Sequence, residues 1–495
     1  MSHRLTQSRW YRLPLALAVV ALAVGTACSE DPFPGATDTL GGEIISSLAD
    51  LTAAGDTLIF ESETTVYAAI AVYGVGPGVP QSIRWGTTDT TVLEISVLND
   101  LSAFVRATAP GEAWLVALIN EQFWDSLRVT VVLRGGPRWT TSFAGVPVGL
   151  HPAIGADSLI RVVTGGASPL LRMLAPDSGA GTSAASCFGA LGPSLGVSDE
   201  TYAAGGPCVR RHATSGDPQW TAPFSEAVLG VAVAADGGAI VVSTDSVFRL
   251  GANGLPVWGL PLGGAPVTAP VLGLGGDVYV GWSAGGADSV SRFALAGTPR
   301  WSVEVPGLST GTPAATSQRL IFGRPGGIFA LDSTGVVAWD RSFSDVNPAA
   351  SATSRTSSPV HDDIAVYVQN EEALYAYSTG GVFLWVADSL GFGATTGVVG
   401  APALLLDASL VVPCASGPGG REVCAVRQTN GERLWRSPAG DGPVEGLAVG
   451  GDGIVYVTRT LADGGSQVAA LWARVPPATA GWPTEGGNAK RTRRR

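Results

Sequence analysis

The chain reads as an all-β protein in two parts, and three observations carry that reading. Glycine and proline are abundant, 67 and 33 of 495 residues, while charged residues make up only 14%, a composition suited to many short strands joined by tight turns. Residues 44–134 hold short stretches in which apolar and polar residues alternate, the period of a half-buried strand. Beyond them a glycine four positions before a tryptophan recurs, at Gly135/Trp139, Gly216/Trp220, Gly254/Trp258, Gly297/Trp301, Gly335/Trp339, Gly381/Trp385 and Gly431/Trp435. One hydrophobic core cannot serve a chain of this length, so a separate domain followed by a repeat array is expected.

The first 27 residues form an export signal. Arg4, Arg9 and Arg12 make its basic end, Leu13 to Val24 its apolar run and Gly25-Thr26-Ala27 its small-residue cleavage site. Cys28 follows at once, and the junction resembles the lipobox of bacterial lipoproteins. That resemblance implies lipidation of Cys28 and attachment of the protein to a membrane through the lipid. Ser29, where an aspartate marks inner-membrane retention in the enterobacterial rule, implies the outer membrane, with the chain facing either periplasm or exterior. An ordinary signal peptide with an incidental cysteine, or an uncleaved anchor, stays open at this point, although the apolar run is short against the ~20 residues of a span. Loss of residues 1–27 removes three arginines and no acid, which takes the net charge from -11 to -14. So acidic a body disfavours nucleic acid, whose phosphates need a basic surface. Residues 28–43, rich in Pro, Gly, Asp and Thr, read as a tether. At the other end residues 476–495 form a basic tail, with Lys490, Arg491, Arg493, Arg494 and Arg495, read as a solvated terminus in preference to a contact for anionic lipid or polysaccharide.

Within residues 44–134, strands are expected at Thr57–Phe60, Val66–Val72, Ile83–Trp85, Leu93–Val97, Ala103–Ala107, Ala113–Leu118 and Ser126–Val132. Seven short strands with turns between them at regular spacing argue for a β-sandwich. Four stretches resemble the bacterial Ig-like domains of group 2: Ala54-Gly55-Asp56-Thr57, Ile83-Arg84-Trp85-Gly86-Thr87-Thr88-Asp89, Ala107-Thr108-Ala109-Pro110-Gly111-Glu112-Ala113 and Asp125-Ser126-Leu127-Arg128-Val129-Thr130-Val131. No cysteine accompanies Trp85, so the packed indole must hold the sheets together without an antibody-type disulfide. The resemblance implies a spacer or an adhesion module, and spacer is the plainer of the two.

Gly135-Gly136-Pro137 is the hinge into the array, which spans residues 137–475. Successive tryptophans of the signature are 81, 38, 43, 38, 46 and 50 residues apart. The first interval is twice too long, and it contains Asp177-Ser178-Gly179-Ala180-Gly181-Thr182-Ser183, the same glycine signature with serine where tryptophan should stand. Ser183 therefore fills an eighth, degenerate position. A period near forty with four strands per unit marks a β-propeller. The unit from Pro313 shows it, with strands at Ala314–Thr316, Arg319–Phe322, Ile328–Asp332 and from Val337. The array opens with a lone fourth strand, Trp139–Phe143, and closes with three strands, Glu445–Val449, Ile454–Val457 and Val468–Arg474, so pairing the two ends completes an eight-bladed ring without free ends. Each tryptophan, at 139, 220, 258, 301, 339, 385 and 435, is expected to pack between adjacent blades, and the glycine before it to occupy a turn of positive φ. Phe329-Ala330-Leu331-Asp332-Ser333-Thr334-Gly335 to Trp339, and Leu374-Tyr375-Ala376-Tyr377-Ser378-Thr379-Gly380-Gly381 to Trp385, resemble the quinoprotein (PQQ-like) propeller repeats. Trp482-Pro483, Gly486-Gly487-Asn488 and Arg491-Thr492 resemble a short segment that often flanks such propellers.

With Cys28 lipidated, four cysteines remain in an oxidising compartment, where pairing is expected. Cys414 and Cys424 flank the turn-rich Ala415–Gly420 and should face each other across a hairpin, and Cys187 and Cys208 are expected to do the same in another repeat. Cofactor-binding quinoproteins carry a vicinal disulfide, a calcium site and an aspartate base. No two cysteines here are adjacent, so the resemblance implies the fold and no cofactor. His3, His151, His212 and His361 show no metal-pair spacing. His151 and His361, near blade entrances, could line the central channel, and are read in preference as satisfied, partly exposed polar residues. A Ser/His/Asp triad can assemble only in space and stays open. Asp236-Gly237-Gly238 and Gly451-Asp452-Gly453 are hairpin turns before they are calcium loops. The expectation is a non-catalytic, membrane-anchored scaffold or binding module whose propeller loops meet a protein or a cell-surface glycan. A sharper version resembles the eight-bladed lipoprotein of the β-barrel assembly machinery, and a degenerate quinoprotein enzyme or a carbohydrate-binding propeller are the alternatives.

Overall fold

The structure, a computed structural model, describes residues 48–54, 57–73, 83–99, 101–119, 123–188, 192–273, 276–390, 400–414, 421–479, 484 and 487. The expected export signal, Cys28, the tether, the loop 415–420, Trp482-Pro483 and the basic residues 490–495 lie outside the described residues. Strands dominate, and no α-helix occurs among the described residues.

Residues 48–132 form two four-stranded sheets. One has the order Leu48–Ala54, Thr64–Tyr73, Ser102–Ala107, Leu93–Asn99, and the other Leu58–Phe60, Phe123–Val132, Gly111–Ile119, Ile83–Thr87. Leu48–Ala54 is a strand that the sequence pattern missed. The pairing of Leu58–Phe60 with Phe123–Val132 is parallel, while the neighbouring pairs are antiparallel. Period-two alternation turns Tyr67, Leu93, Val105 and Ala107 of one sheet towards Ile59, Leu115, Val129 and Val131 of the other, all at most 2% exposed. Trp85 packs against this core, at the position where the sequence asks an aromatic residue to replace a covalent link.

From residue 137 the chain builds sheet after sheet, each wound antiparallel from an inner to an outer strand. Regular four-stranded sheets run over 153–185, 314–342, 360–387 and 403–436. The region 265–305 adds a five-stranded sheet. The region 194–261 is one six-stranded sheet because Pro218–Val233 is a single strand of 16 residues. Its first half pairs with Thr201–His212 and its second with Ala239–Ser243, so it serves as the outer strand of one repeat and the inner strand of the next. The unit expected from Pro313 is found as Ala314–Ala315, Arg319–Arg324, Gly327–Asp332 and Val337–Ser342.

The ends of the array meet in one sheet. Pro137–Phe143 pairs with Ser466–Trp472, the last of three strands that begin at Val444. Gly135 N donates to Trp472 O at 2.7 Å, and Trp472 N to Gly136 O at 2.9 Å. A strand contributed from the opposite end of the array thus completes the final sheet and covers its edge.

Candidate functional site

The residues of the glycine–tryptophan signature are spent on contacts between repeats. Gly135, Gly179, Gly216, Gly254, Gly297, Gly335, Gly381 and Gly431 all have φ between +67° and +92°, a region costly to any residue with a Cβ. Each tryptophan of one repeat lies on the glycine of the next. A Cβ on Gly254 would stand 2.5 Å from the Trp220 ring, on Gly297 2.8 Å from Trp258, on Gly335 3.1 Å from Trp301, and on Gly381 2.6 Å from Trp339. Gly431 takes Trp385 and Gly179 takes Trp139 in the same way, and Gly135, at the start of the array, takes Trp435 from its end. Gly216 faces Met173, because the repeat before it carries Ser183 in the tryptophan position. The indole N–H groups find carbonyls in the same turns: Trp139 donates to Pro176 O at 2.8 Å, Trp220 to Ala252 O at 2.9 Å, Trp258 to Leu295 O at 3.0 Å, Trp339 to Thr379 O at 3.2 Å and Trp385 to Gln428 O at 2.8 Å.

A second element of the contact escaped the sequence reading. Arg211, Arg249 and Arg292 stand opposite Trp220, Trp258 and Trp301 on the strand next to them. Each is held by an acid of its own repeat, Glu200, Asp236 or Asp277. Each also donates to the carbonyl that accepts the indole: Arg211 Nη1 to Ala252 O at 2.8 Å, Arg249 Nη1 to Leu295 O at 2.9 Å, and Arg292 Nη1 to Ser333 O. One carbonyl of the following repeat therefore receives two donors. The signal was present as an arginine nine positions ahead of the tryptophan in three repeats. In the others alanine stands opposite the indole, as Ala330, Ala376, Ala425 and Ala470.

The four cysteines that follow Cys28 are joined as Cys187–Cys208 and Cys414–Cys424, with Cα atoms 5.9 and 5.8 Å apart. Cys414 and Cys424 lie on neighbouring strands of one hairpin, offset diagonally, since Cys414 is opposite Glu422. Cys187 departs from the hairpin expectation. It lies in the connection after Gly181–Ala185, so its bond to Cys208 joins two successive sheets. Cys208 and Cys424 do occupy the same place in their repeats, the strand beside the tryptophan strand.

The histidines also differ from expectation. His151 and His361 are 1% and 0% exposed, so they are core residues and do not face open solvent. Asp363 N donates to His361 Nδ1 at 3.1 Å, which leaves Nε2–H to donate to Ala315 O at 3.0 Å. His212, fully buried, lies 3.2 Å from Ser186 Oγ and 2.9 Å from Gly216 O. Burial pushes its imidazole below the usual range against the pull of the Gly216 carbonyl. The third partner of this serine and histidine is a backbone carbonyl, and the pair is sealed from solvent, so it ties two repeats together. Asp236-Gly237-Gly238 and Gly451-Asp452-Gly453 are turns: Gly237 and Gly453 have φ of +78°, and the two aspartates cap Gly238 N and Ile454 N at 3.0 and 3.1 Å. No group of three His, Cys, Asp or Glu poised around a metal occurs among the described residues.

A cleft of about 270 Å³ opens between the sheets of 265–305 and 314–342, lined by Tyr279, Arg292, Thr316, Gln318, Arg319 and Asp332 among others. Its charges are engaged within the protein. Arg292 Nε donates to Asp277 at 2.7 Å, Arg319 Nη1 to Thr379 O at 2.6 Å, and the Thr334 hydroxyl, at 2.7 Å, helps hold the Asp332 carboxyl below the ordinary carboxylate range. Beside these groups the cleft presents the polar side chains of Thr316, Ser317, Gln318 and Ser333 and the apolar surface of Tyr279, Ala315 and Leu320.

Comparison with one family model and with one designed protein agrees with this architecture. A PQQ-like repeat model described as outer membrane protein assembly factor BamB matches residues 205–401 and 286–438. Among solved structures, the computationally designed Ika8 protein superposes with a TM-score of 0.51 over 68% of this chain and 99% of its own, at 14% identity. A protein of unknown function from Bacteroides caccae gives 0.33, over 50% of this chain and 92% of its own, at 10% identity. No curated protein matches the sequence. No helix among the described residues is long and apolar enough to cross a membrane. The chain carries a PQQ-like repeat domain of propeller type, built from small antiparallel sheets and stapled by two disulfides.

Proposed function

We propose that the protein is a non-catalytic scaffold of the bacterial cell envelope, lipidated at Cys28 and held on the outer membrane. An Ig-like sandwich would serve as spacer and an eight-bladed propeller as the docking disc. The observation that carries this reading is the use made of the repeat signature: its tryptophans, glycines and arginines lock neighbouring sheets, which leaves the loops and outer strands of a rigid ring as the surfaces offered to a partner. Pairing of Pro137–Phe143 with the last strands and eight signature glycines support the count of eight blades. The match to a model described as an outer membrane assembly factor favours, within this reading, an accessory role in β-barrel assembly. The test is fractionation with in-cell cross-linking. Wild-type protein should stay with membranes through detergent-free washing and cross-link to an envelope protein, and Cys28→Ser should be released; a Cys28→Ser chain that stays bound refutes the anchor, and absence of any cross-linked envelope protein refutes the scaffold.

The cleft at Gln318 and Arg319 favours one second reading, a carbohydrate-binding propeller, since hydroxyl, amide and guanidinium groups beside apolar surface suit a polyhydroxylated ligand. A glycan array on the purified chain tests it, with saturable binding lost in Gln318→Ala as the expected result and no binding to any glycan as the refutation.

A further inference from the structure

Strands at the outside of a sheet leave backbone N–H and C=O groups available to another chain, and proteins guard such edges with proline or charge. Four outer strands of the array are guarded by proline two positions before the tryptophan, at Pro137, Pro218, Pro256 and Pro299. All four occupy the same register, beside a bulge, opposite Leu471, His212, Leu250 and Phe293. Proline has no N–H, so the backbone nitrogen at this register faces the free edge, and proline deletes the donor there. Among the remaining tryptophan strands Arg433 replaces it with a charge. Val337 is unguarded, but Asp340 and Arg341 follow in the same short strand.

Phe383-Leu384-Trp385-Val386-Ala387 has neither proline nor charge, and it is the outermost strand of its sheet. Phe383 stands at the proline register, opposite Tyr377. Val382, Phe383 and Leu384 are 63%, 37% and 47% exposed, and Ile364, whose carbonyl accepts from Thr379 N just before the strand, is 76% exposed. A short, uncharged, β-prone stretch with an open edge is the kind that pairs with another strand. Asp388 follows Ala387 directly at the far end of the strand, while Arg319 and Arg341 donate to Thr379 O and Gly381 O in the turn that leads into it.

We propose that the outer edge of Phe383–Ala387 is a docking strand that receives an extended apolar segment of a partner protein, flanked by Lys or Arg, through backbone pairing. The proposal rests on the scaffold reading and names the class of partner it serves. A basic flank is matched by Asp388 at the end of the strand and by the net charge of -11 of the chain as a whole, which also repels a second copy. The probe is a fluorescein-labelled peptide of alternating valine and threonine with a lysine pair at each end, titrated into the full chain and followed by amide hydrogen exchange. Saturable binding with slowed exchange across residues 383–387 is expected, weakened at least tenfold in Phe383→Pro and in Leu384→Lys. Phe383→Pro installs a residue that four sister strands already carry, and an unchanged thermal transition confirms its fold. No binding, or equal binding by wild type and Phe383→Pro, overturns the proposal, as does protection of these amides by self-association without peptide. In cells, envelope cross-links that persist undiminished in Phe383→Pro sink the docking strand and leave the scaffold standing, whereas absence of cross-links in both chains sinks the scaffold and the docking strand with it.

Discussion

Gly381→Ala is the sharpest test of how the repeats are held together. Gly381 has φ +82° and its Cβ would stand 2.6 Å from Trp339 Cγ and Cδ2. The left-handed backbone costs an L-residue about 1–2 kcal/mol, and displacing a packed indole adds about 1–3 kcal/mol. Gly464 separates the two effects, because it has φ +78° with nothing within 4 Å of a Cβ; Gly464→Ala should lose only the first amount. Urea unfolding followed by far-UV circular dichroism measures both. Trp339→Ala removes a side chain 6% exposed that also donates to Thr379 O, at a cost of about 3–5 kcal/mol. In that background Gly381→Ala should cost only the backbone amount, a coupling of about 1–3 kcal/mol. If Gly464→Ala is as damaging as Gly381→Ala, or if Gly381→Ala costs the same with and without Trp339, the interlock does not hold neighbouring repeats together.

Arg292→Leu strands Asp277, 9% exposed, and should lower stability by about 2–4 kcal/mol, whereas Arg128→Leu, whose partner Glu112 is more than half exposed, should leave the urea midpoint where it was. Replacing both cysteines of a pair by alanine should cost about 3.3 kcal/mol for the 21-residue Cys187–Cys208 separation and about 2.7 kcal/mol for the 10-residue Cys414–Cys424 separation, read from thermal unfolding of each double variant. Burial lowers the His212 imidazole, so the unfolded chain takes up that proton first, near pH ~6.5; stability should fall as pH drops below that value towards the folded group's own titration, and His212→Gln should flatten the urea midpoint between pH ~7.5 and ~5.

Much of the fold could be read because its signals are local. A glycine with positive φ and an indole four residues later are properties of one turn, and repetition exposed them even where Ser183 broke the pattern. The closing sheet was legible for a different reason: a lone strand at one end and three at the other can be matched by counting. Leu48–Ala54 was missed because its Leu-Ala-Asp-Leu-Thr-Ala-Ala stretch lacks clear alternation and becomes a strand through pairing with Thr64–Tyr73. Burial of His151 and His361 depends on neighbouring sheets, which no window of sequence contains. The arginine clamps joined residues about forty positions apart and went unseen, although their fixed distance from the tryptophans was on the page. The edge at Phe383 was also written in the sequence, as a missing proline, and acquired meaning only when sister strands showed what proline does there.

The two disulfides do different work, and the proposed ring of eight explains why one of them crosses between sheets. At seven contacts a tryptophan seats on a glycine of the next repeat. At the eighth the indole is gone, with Ser183 in its place, and Gly216 meets only the flexible thioether of Met173. That same seam holds Cys187–Cys208, the Ser186–His212 hydrogen bond, Arg161 Nη2 reaching Thr214 O at 3.4 Å, and Ala156 N donating to Asp199 at 2.8 Å. A buried indole is worth about 3–5 kcal/mol by truncation, and a cross-link over this separation about 3.3 kcal/mol, so the covalent bond is large enough to stand in for the missing ring. Cys414–Cys424, inside one hairpin, fastens nothing to a neighbour and leaves its seam to Trp385 on Gly431 and Trp435 on Gly135. The repeat that lost its tryptophan is the one joined to its neighbour by sulfur.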